Sequence, residues 1–452
     1  MPAGEQRAEA RRHDREIVRL AWPAFLALVA EPLFLLADSA IVGHLGTPQL
    51  AGLGIAAVVL QTAVGLCVFL AYGTTASVAR HVGAGDLRRA LAQGVDGLWL
   101  AVAIGLVATG LGVALTGPLV SAFGAAPAVT DHAATYLRIA FLGTTPLLLM
   151  LAATGVLRGL QDTRTPLVVA VGGNALNVVL NLALVFGAGP LPRLGIAGSA
   201  LGSVLAQVLS AASLIVVVVR GARREGASLR PDLPGIRAAA HAAVALVIRT
   251  LTLRAALIVT TYAVVLATAG SDESIAAHQL AFTIWGFLAF VLDAIAIAAQ
   301  ALTGRFLGAG DPATARAVTR RMIRWGAVSG VVTGLLLAAA SPWLGRLFSD
   351  DAGVVSLLMP VLLVAAVGQP VAGVVFVLDG VLIGAGDGTY LAWAGLVVLL
   401  VYAPVVLLVA GLVGAHGLLW VWVVFSALFM GARAVVLLRR ERGDGWLVLG
   451  AR

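Results

Sequence analysis

Residues 391–413 read LAWAGLVVLLVYAPVVLLVAGLV, a run without one charged side chain. A helix needs roughly 20 mainly apolar residues to cross the hydrocarbon of a bilayer, and this run is long enough. The runs 98–115, 167–186 and 354–378 have the same character. They are too long and too many for a single soluble core. The rest of the chain agrees. Of its 452 residues 60% are hydrophobic and 12% charged, against roughly 25% charged in a soluble domain. The sequence predicts an all-α, polytopic integral membrane protein in contact with membrane lipids.

Twelve spans fit the hydropathy. They lie near 20–43, 51–79, 93–117, 134–156, 165–187 and 195–219, then near 244–268, 276–303, 322–345, 354–379, 389–411 and 415–438. The net charge of +8 comes from residues in the short gaps between apolar runs, not from one patch. That distribution speaks for membrane topology and against nucleic acid as a partner. With the N-terminus inside, one face collects Arg7 to Arg19, then Arg80, Arg88, Arg89, Arg158 and Arg164. It also collects Arg220 to Arg237, Arg305 to Arg321 and the arginines that close the chain. The opposite face holds Arg138, Arg193 and Arg346, while Arg249 and Arg254 fall within or near span seven. Positive charge stays on the cytoplasmic side, so both termini are expected in the cytoplasm, in a multi-pass protein of the cell membrane. The basic N-terminus before an apolar run looks like a signal peptide, but Glu31, Pro32 and Asp38 interrupt that run. It is expected to be a retained first helix.

The chain also repeats itself. Val82-Gly83-Ala84-Gly85-Asp86 returns as Leu307-Gly308-Ala309-Gly310-Asp311, 225 positions later. Gly155-Val156-Leu157-Arg158-Gly159-Leu160-Gln161-Asp162 returns as Gly380-Val381-Leu382-Ile383-Gly384-Ala385-Gly386-Asp387 at the same offset. Six spans is an even number, so both copies enter from the same side. An axis along the membrane normal then relates them, the usual build of a secondary transporter. The expected organisation is a segment 1–19, a six-helix lobe 20–219, a linker 220–243, a second six-helix lobe 244–438 and a tail 439–452.

Ionisable groups at membrane depth are costly and call for a reason. Asp38 lies inside span one, seven residues after Glu31, on roughly the same helix face. Burial penalises its charged form, so such a group can exchange a proton near neutrality; the alternative is a carboxylate near a helix end bonding local backbone. Pro32 removes an intrahelical hydrogen bond and favours a bend. Asn174, Asn177 and Asn181 form one polar stripe on span five, which must face protein or a wet cavity. It serves either as interhelical glue or as cavity lining. Asp293 in span eight, between Gln279 and Gln300, is either a ligand or proton group or the partner of an arginine such as Arg254. Asp96 and Asp379 read as interfacial.

Other chemistry is missing. There is no phosphate loop, no His-Glu-x-x-His and no Gly-x-Ser-x-Gly. Cys67 is the only cysteine, and His44, His81, His278 and His416 stand singly without metal-ligand spacing. An enzyme, a catalytic residue, a metal and a bound cofactor are all unexpected. An ion gradient is the energy source left.

Three segments carry a resemblance. They are Glu31-Pro32 with Asp38-Ser39-Ala40-Ile41-Val42-Gly43-His44-Leu45-Gly46, then Leu157-Arg158-Gly159-Leu160-Gln161-Asp162-Thr163. The third is Ala276-Ala277-His278-Gln279 running on through Asp293 to Gln300-Ala301-Leu302. Together they resemble the multidrug and toxic compound extrusion (MATE) family, and within it the DinF-like branch, over about 16–440. The resemblance implies twelve helices in two pseudo-symmetric six-helix lobes around a V-shaped cleft. It implies export of cationic or amphipathic small molecules against H+ or Na+. It places the protonation site on Asp38, a cavity-lining acid on Glu31, and on Asn177 and Asn181 the partners of the first acid. Members of the family carry an aspartate where this chain has Asn181, which cannot titrate. The expectation is a monomeric, proton-coupled antiporter working through Asp38. Sodium coupling at the same cleft and a lipid-linked oligosaccharide flippase of the related superfamily are the alternatives.

Overall fold

The computed structural model describes residues 3–188, 192–414 and 416–451, with side chains from Arg11 onward; Arg7 lies outside them. Among the described residues, twelve helices are long and apolar enough to cross a membrane. The first six are α1 Arg11–Gly43, α2 Thr47–Gly83, α3 Leu87–Ser121, α4 Pro127–Gly159, α5 Arg164–Phe186 and α6 Ile196–Arg224. The others are α7 Leu233–Ala267, α8 Asp272–Gly308, α9 Pro312–Phe348, α10 Ala352–Gly384, α11 Gly388–Leu412 and α12 Gly417–Arg442. No strand occurs among the described residues.

Most helices overrun the apolar stretches that announce them, because Arg, Glu and Ala continue a helix into the interface at little cost. The stretch read as a linker is shortened from both sides: α6 ends at Arg224 and α7 starts at Leu233. Pro234, in the first turn of α7, is compatible with that start. Irregular turns interrupt three helices, at Val68 in α2, as a 3₁₀ turn over Phe141–Gly143 in α4 and as a π turn over Phe425–Phe429 in α12. By contrast, α1 is helical straight through Pro23 and Pro32.

The repeat is visible in the helix ends. Helices α2 and α8 share both boundaries at the 225-residue offset, as do α4 and α10. After α2, the amide of Ala84 donates to Arg80 O, that of Gly85 to Val82 O and that of Asp86 to His81 O. After α8 the set recurs on Ala309, Gly310 and Asp311. Such a turn needs a residue in the left-handed region, where glycine carries no Cβ penalty. Gly85 takes φ 77° and Gly310 φ 71°. The turns after α4 and α10 match in the same way, with Gln161 at φ 64° where its counterpart is Gly386 at φ 70°.

The chain divides into two compact units. One is Leu26–Ala243; the other joins the chain up to Phe25 with Val244–Gly450. Each is held by small residues that let backbones approach, the usual contact between helices in a membrane. In the second unit a Cβ on Gly326 of α9 would lie 2.5 Å from the Gly373 carbonyl of α10. In the first unit a Cβ on Gly198 of α6 would lie 2.5 Å from the Leu184 carbonyl of α5. The start of α1 is fastened inside the second unit. Asp14 Oδ1 accepts from Trp325 Nε1 and Arg321 Nε, each at 2.7 Å, and Glu16 pairs with Arg305 at 2.8 Å.

Candidate functional site

Asp38 lies one and a half turns before the end of α1 and is buried, 4% exposed. Three helices of the same unit bring donors to it. Asn181 Nδ2 of α5 donates to Oδ1 at 2.8 Å, and Ser199 Oγ of α6 donates to the same oxygen at 2.5 Å. Tyr136 of α4 donates its hydroxyl to Oδ2 at 3.3 Å. An ionised carboxylate only accepts, and three donors converging on one satisfy it. Among the described residues no cation pairs with Asp38.

The local sequence explains the geometry. Gly198-Ser199 and Gly202-Ser203 fall one turn apart on α6. The glycines admit α5 closely, and a Cβ on Gly202 would strike Asn181 Oδ1. The serines then face the α5 amides. Asn177 Nδ2 donates to Ser203 Oγ at 3.0 Å. Asn174 Nδ2 reaches α1 itself, donating to the Ala30 carbonyl at 2.9 Å, two residues before Pro32. The span-five stripe therefore faces protein. Two of its acceptors stay open, for Asn177 Oδ1 and Asn181 Oδ1 are buried and have no hydrogen-bond partner among the described residues. Buried polar atoms are rarely left so. The cluster thus offers carboxylate and amide oxygens in a place that can take up a proton or a small cation.

The other anticipated residues lie apart from it. Glu31 is exposed, and no hydrogen bond joins it to the Asp38 cluster among the described residues. Gln279, Asp293 and Gln300 all belong to α8 in the second unit, exposed, half-buried and buried in turn. Arg254 is exposed. Asp96 and Asp379, read as interfacial, are both buried. Asp96 accepts the amide of Asp232 at 3.1 Å, and Asp379 sits between two arginines.

Sequence reasoning missed Tyr136, Ser199 and Ser203. The Gly-Ser pair repeated four residues apart was a usable signal for the serines, since it marks a small, polar helix face. Nothing in the pattern around Tyr136 points at Asp38, 98 residues away. Among the described residues no group of three or more His, Cys, Asp or Glu is arranged to hold a metal.

A family model, MatE, matches residues 23–183 and 245–408. Protein DETOXIFICATION 44, chloroplastic, of Arabidopsis thaliana is 31% identical, the match covering 93% of this chain and 81% of that protein. DNA damage-inducible protein F of Escherichia coli is 28% identical over 96% of this chain and 94% of its own length. The crystal structure of the Vibrio cholerae MATE transporter VcmN in its bent form shares the fold, with TM-score 0.86 at 20% identity, covering 97% of this chain and 99% of that one.

Proposed function

This chain belongs to the MATE family and is a multi-pass membrane transporter, not an enzyme; from that premise we propose that it exports cationic or amphipathic small molecules in exchange for protons, through Asp38. One observation carries the reading: a buried carboxylate, gathered by donors from three helices and paired with no cation among the described residues. Relatives such as the probable multidrug resistance protein NorM of Thermotoga maritima, 25% identical over 76% of this chain, support multidrug substrates by their names. The arginine distribution supports cytoplasmic termini in the cell membrane, and the transport unit is a monomer.

The two carboxylate oxygens are unequal. Among the described residues Oδ1 accepts two donors, while Oδ2 accepts only the long bond from Tyr136. A proton arriving on Oδ2 needs a single partner to change role, and the Tyr136 hydroxyl can rotate from donor to acceptor. A neutral Asp38 no longer attracts a cation, so proton and cationic substrate exclude each other. Binding one ejects the other. A transporter then spends a proton gradient by letting protons displace cargo on the outside.

Ethidium–proton exchange in proteoliposomes tests this, with wild type against Asp38→Asn. The variant abolishes exchange; survival at wild-type rate sinks the mechanism. Sodium coupling at the same cluster is the second reading, favoured by the open amide oxygens of Asn177 and Asn181, since hard cations take oxygen ligands. Replacing Na+ with choline at fixed pH leaves exchange intact under proton coupling and stops it under sodium coupling.

A further inference from the structure

Asp379 of α10 is shared by two arginines from different helices. Arg249 of α7 donates from Nη2 to Asp379 Oδ2 at 2.5 Å, and Nη2 of Arg433 on α12 donates to the same oxygen. The side chains are only 15%, 11% and 8% exposed for Arg249, Arg433 and Asp379. One arginine would neutralise the aspartate. The second leaves a surplus positive charge in a low-dielectric place, a costly arrangement unless an anion completes it. Among the described residues Arg433 also lies against the face of Phe429, 5.7 Å away, a weak partner for a guanidinium with five N–H donors.

A cleft opens beside this group. Both guanidiniums and Asp379 line it, together with Thr252, Gly395, Val398 and Val436. The π turn Phe425–Phe429 ends one turn before Arg433, and π turns recur at functional sites because they re-aim the side chains that follow. Next to the lining positions on the same helices, Ile248, Leu251, Trp393 and Val397 are exposed and apolar. Asp379 lies five residues before the end of α10 at Gly384, roughly 7 Å along the axis at the helical rise. The cleft is therefore at headgroup depth, on the face where the arginines gather.

We infer that this cleft binds the phosphate of an anionic phospholipid, with the headgroup on Arg433 and Arg249 and the acyl chains along the apolar rim. Basic pockets between helices on the cytoplasmic side suit such headgroups. Two features favour a lipid over soluble phosphate. The rim offers apolar surface that only a lipid can use, and Asp379 repels a doubly charged phosphate ion more than a singly charged phosphodiester. The inference stands apart from the coupling chemistry of Asp38.

The test is thermal unfolding of the full-length protein in dodecyl maltoside, titrated with dioleoylphosphatidylglycerol, dioleoylphosphatidylcholine or inorganic phosphate. Phosphatidylglycerol raises the midpoint by several degrees at saturation, and the other two leave it unchanged. Arg433→Gln removes the surplus charge while leaving the Arg249–Asp379 pair balanced, so the variant folds. It weakens the phosphatidylglycerol response about tenfold or more, as loss of a charge-assisted anchor does. Val436→Phe narrows the cleft with all three charged groups intact and has the same effect. An unchanged response in both variants makes the triad a structural ion pair and overturns the site. Equal shifts with phosphatidylcholine overturn its charge selectivity, and equal shifts with inorganic phosphate overturn the lipid as occupant.

Discussion

Replacing Asp38 separates what the cluster does for the fold from what it does for transport. In Asp38→Ala the Ser199 hydroxyl can turn back to its own helix, and the Tyr136 hydroxyl has serines of α6 beside it. Asn181 Nδ2 has nowhere to go: the residue is 0% exposed and its Oδ1 already lacks a partner among the described residues. Stranding that donor costs about 1–3 kcal/mol, and the space left by the carboxyl group adds roughly 1 kcal/mol. The alanine variant is therefore destabilised by about 2–4 kcal/mol on those two magnitudes. Asp38→Asn behaves otherwise. Its amide oxygen can take the Oδ1 position with both donors, and its NH₂ can donate to Tyr136 once that hydroxyl turns. What it loses in charge assistance, about 1–2 kcal/mol, it recovers by no longer burying a charge. Its stability stays within about 1 kcal/mol of wild type on that balance. Equilibrium unfolding in mixed detergent micelles measures both variants. If alanine and asparagine are equally stable, the donors seen around Asp38 contribute nothing to folding, and the derivation of the cluster is wrong.

Two further expectations concern the scaffold. Gly326→Ala forces a Cβ 2.5 Å from the Gly373 carbonyl and destabilises by about 1–3 kcal/mol, as overpacking does; Gly110→Ala, with open space around it, does not, and thermal unfolding in detergent distinguishes them. Asp311, in the turn between α8 and α9, is held below the ordinary carboxylate value by hydrogen bonds from the Thr314 side chain and backbone and from the Ala313 backbone. A depressed folded-state value means its contribution is full above the unfolded value of about 3.9 and fades as pH falls through the lower, folded one. Asp311→Ala therefore loses about 1 kcal/mol at pH 7, and the gap from wild type closes in acid below that range; a gap independent of pH refutes the assignment.

The helices, their number and the repeat were legible because they rest on patterns that need no tertiary information. Apolar length against bilayer thickness is such a pattern, and so is the 225-residue echo of two glycine turns. The acid on α1 and the asparagines on α5 were legible for the same reason, polar groups at membrane depth being few. Tyr136 was not, because a phenol near an interface reads as an anchor until another helix brings a carboxylate to it. Glu31 shares its helical stripe with Asp38 but is exposed, as the lining of an open cavity also is, while Asp38 is buried among donors; periodicity assigns a face but not what lies against it. Arg249, Asp379 and Arg433 were scattered over 184 positions of chain, each plausible as an interfacial charge, and only packing reveals that they share one oxygen. The segment between the sixth and seventh spans is largely helical; Arg-rich sequence looks like a surface loop even where it forms the last turns of α6 and the first of α7.

The 225-residue offset matches the helices of one half to those of the other, but not their chemistry. At the positions matching Asp38, Tyr136, Asn177 and Asn181 the later half carries Ala263, Val361, Tyr402 and Val406, all buried. Of these four, Tyr402 alone is polar, and it bonds to Thr260 at 2.6 Å. Duplication copied the frame and its turns, after which the two copies diverged in labour: one keeps a titratable heart, the other is electrically silent at the same spot. Two copies of one frame can thus differ in the charge they bury at matching positions while keeping the same helix ends and turns.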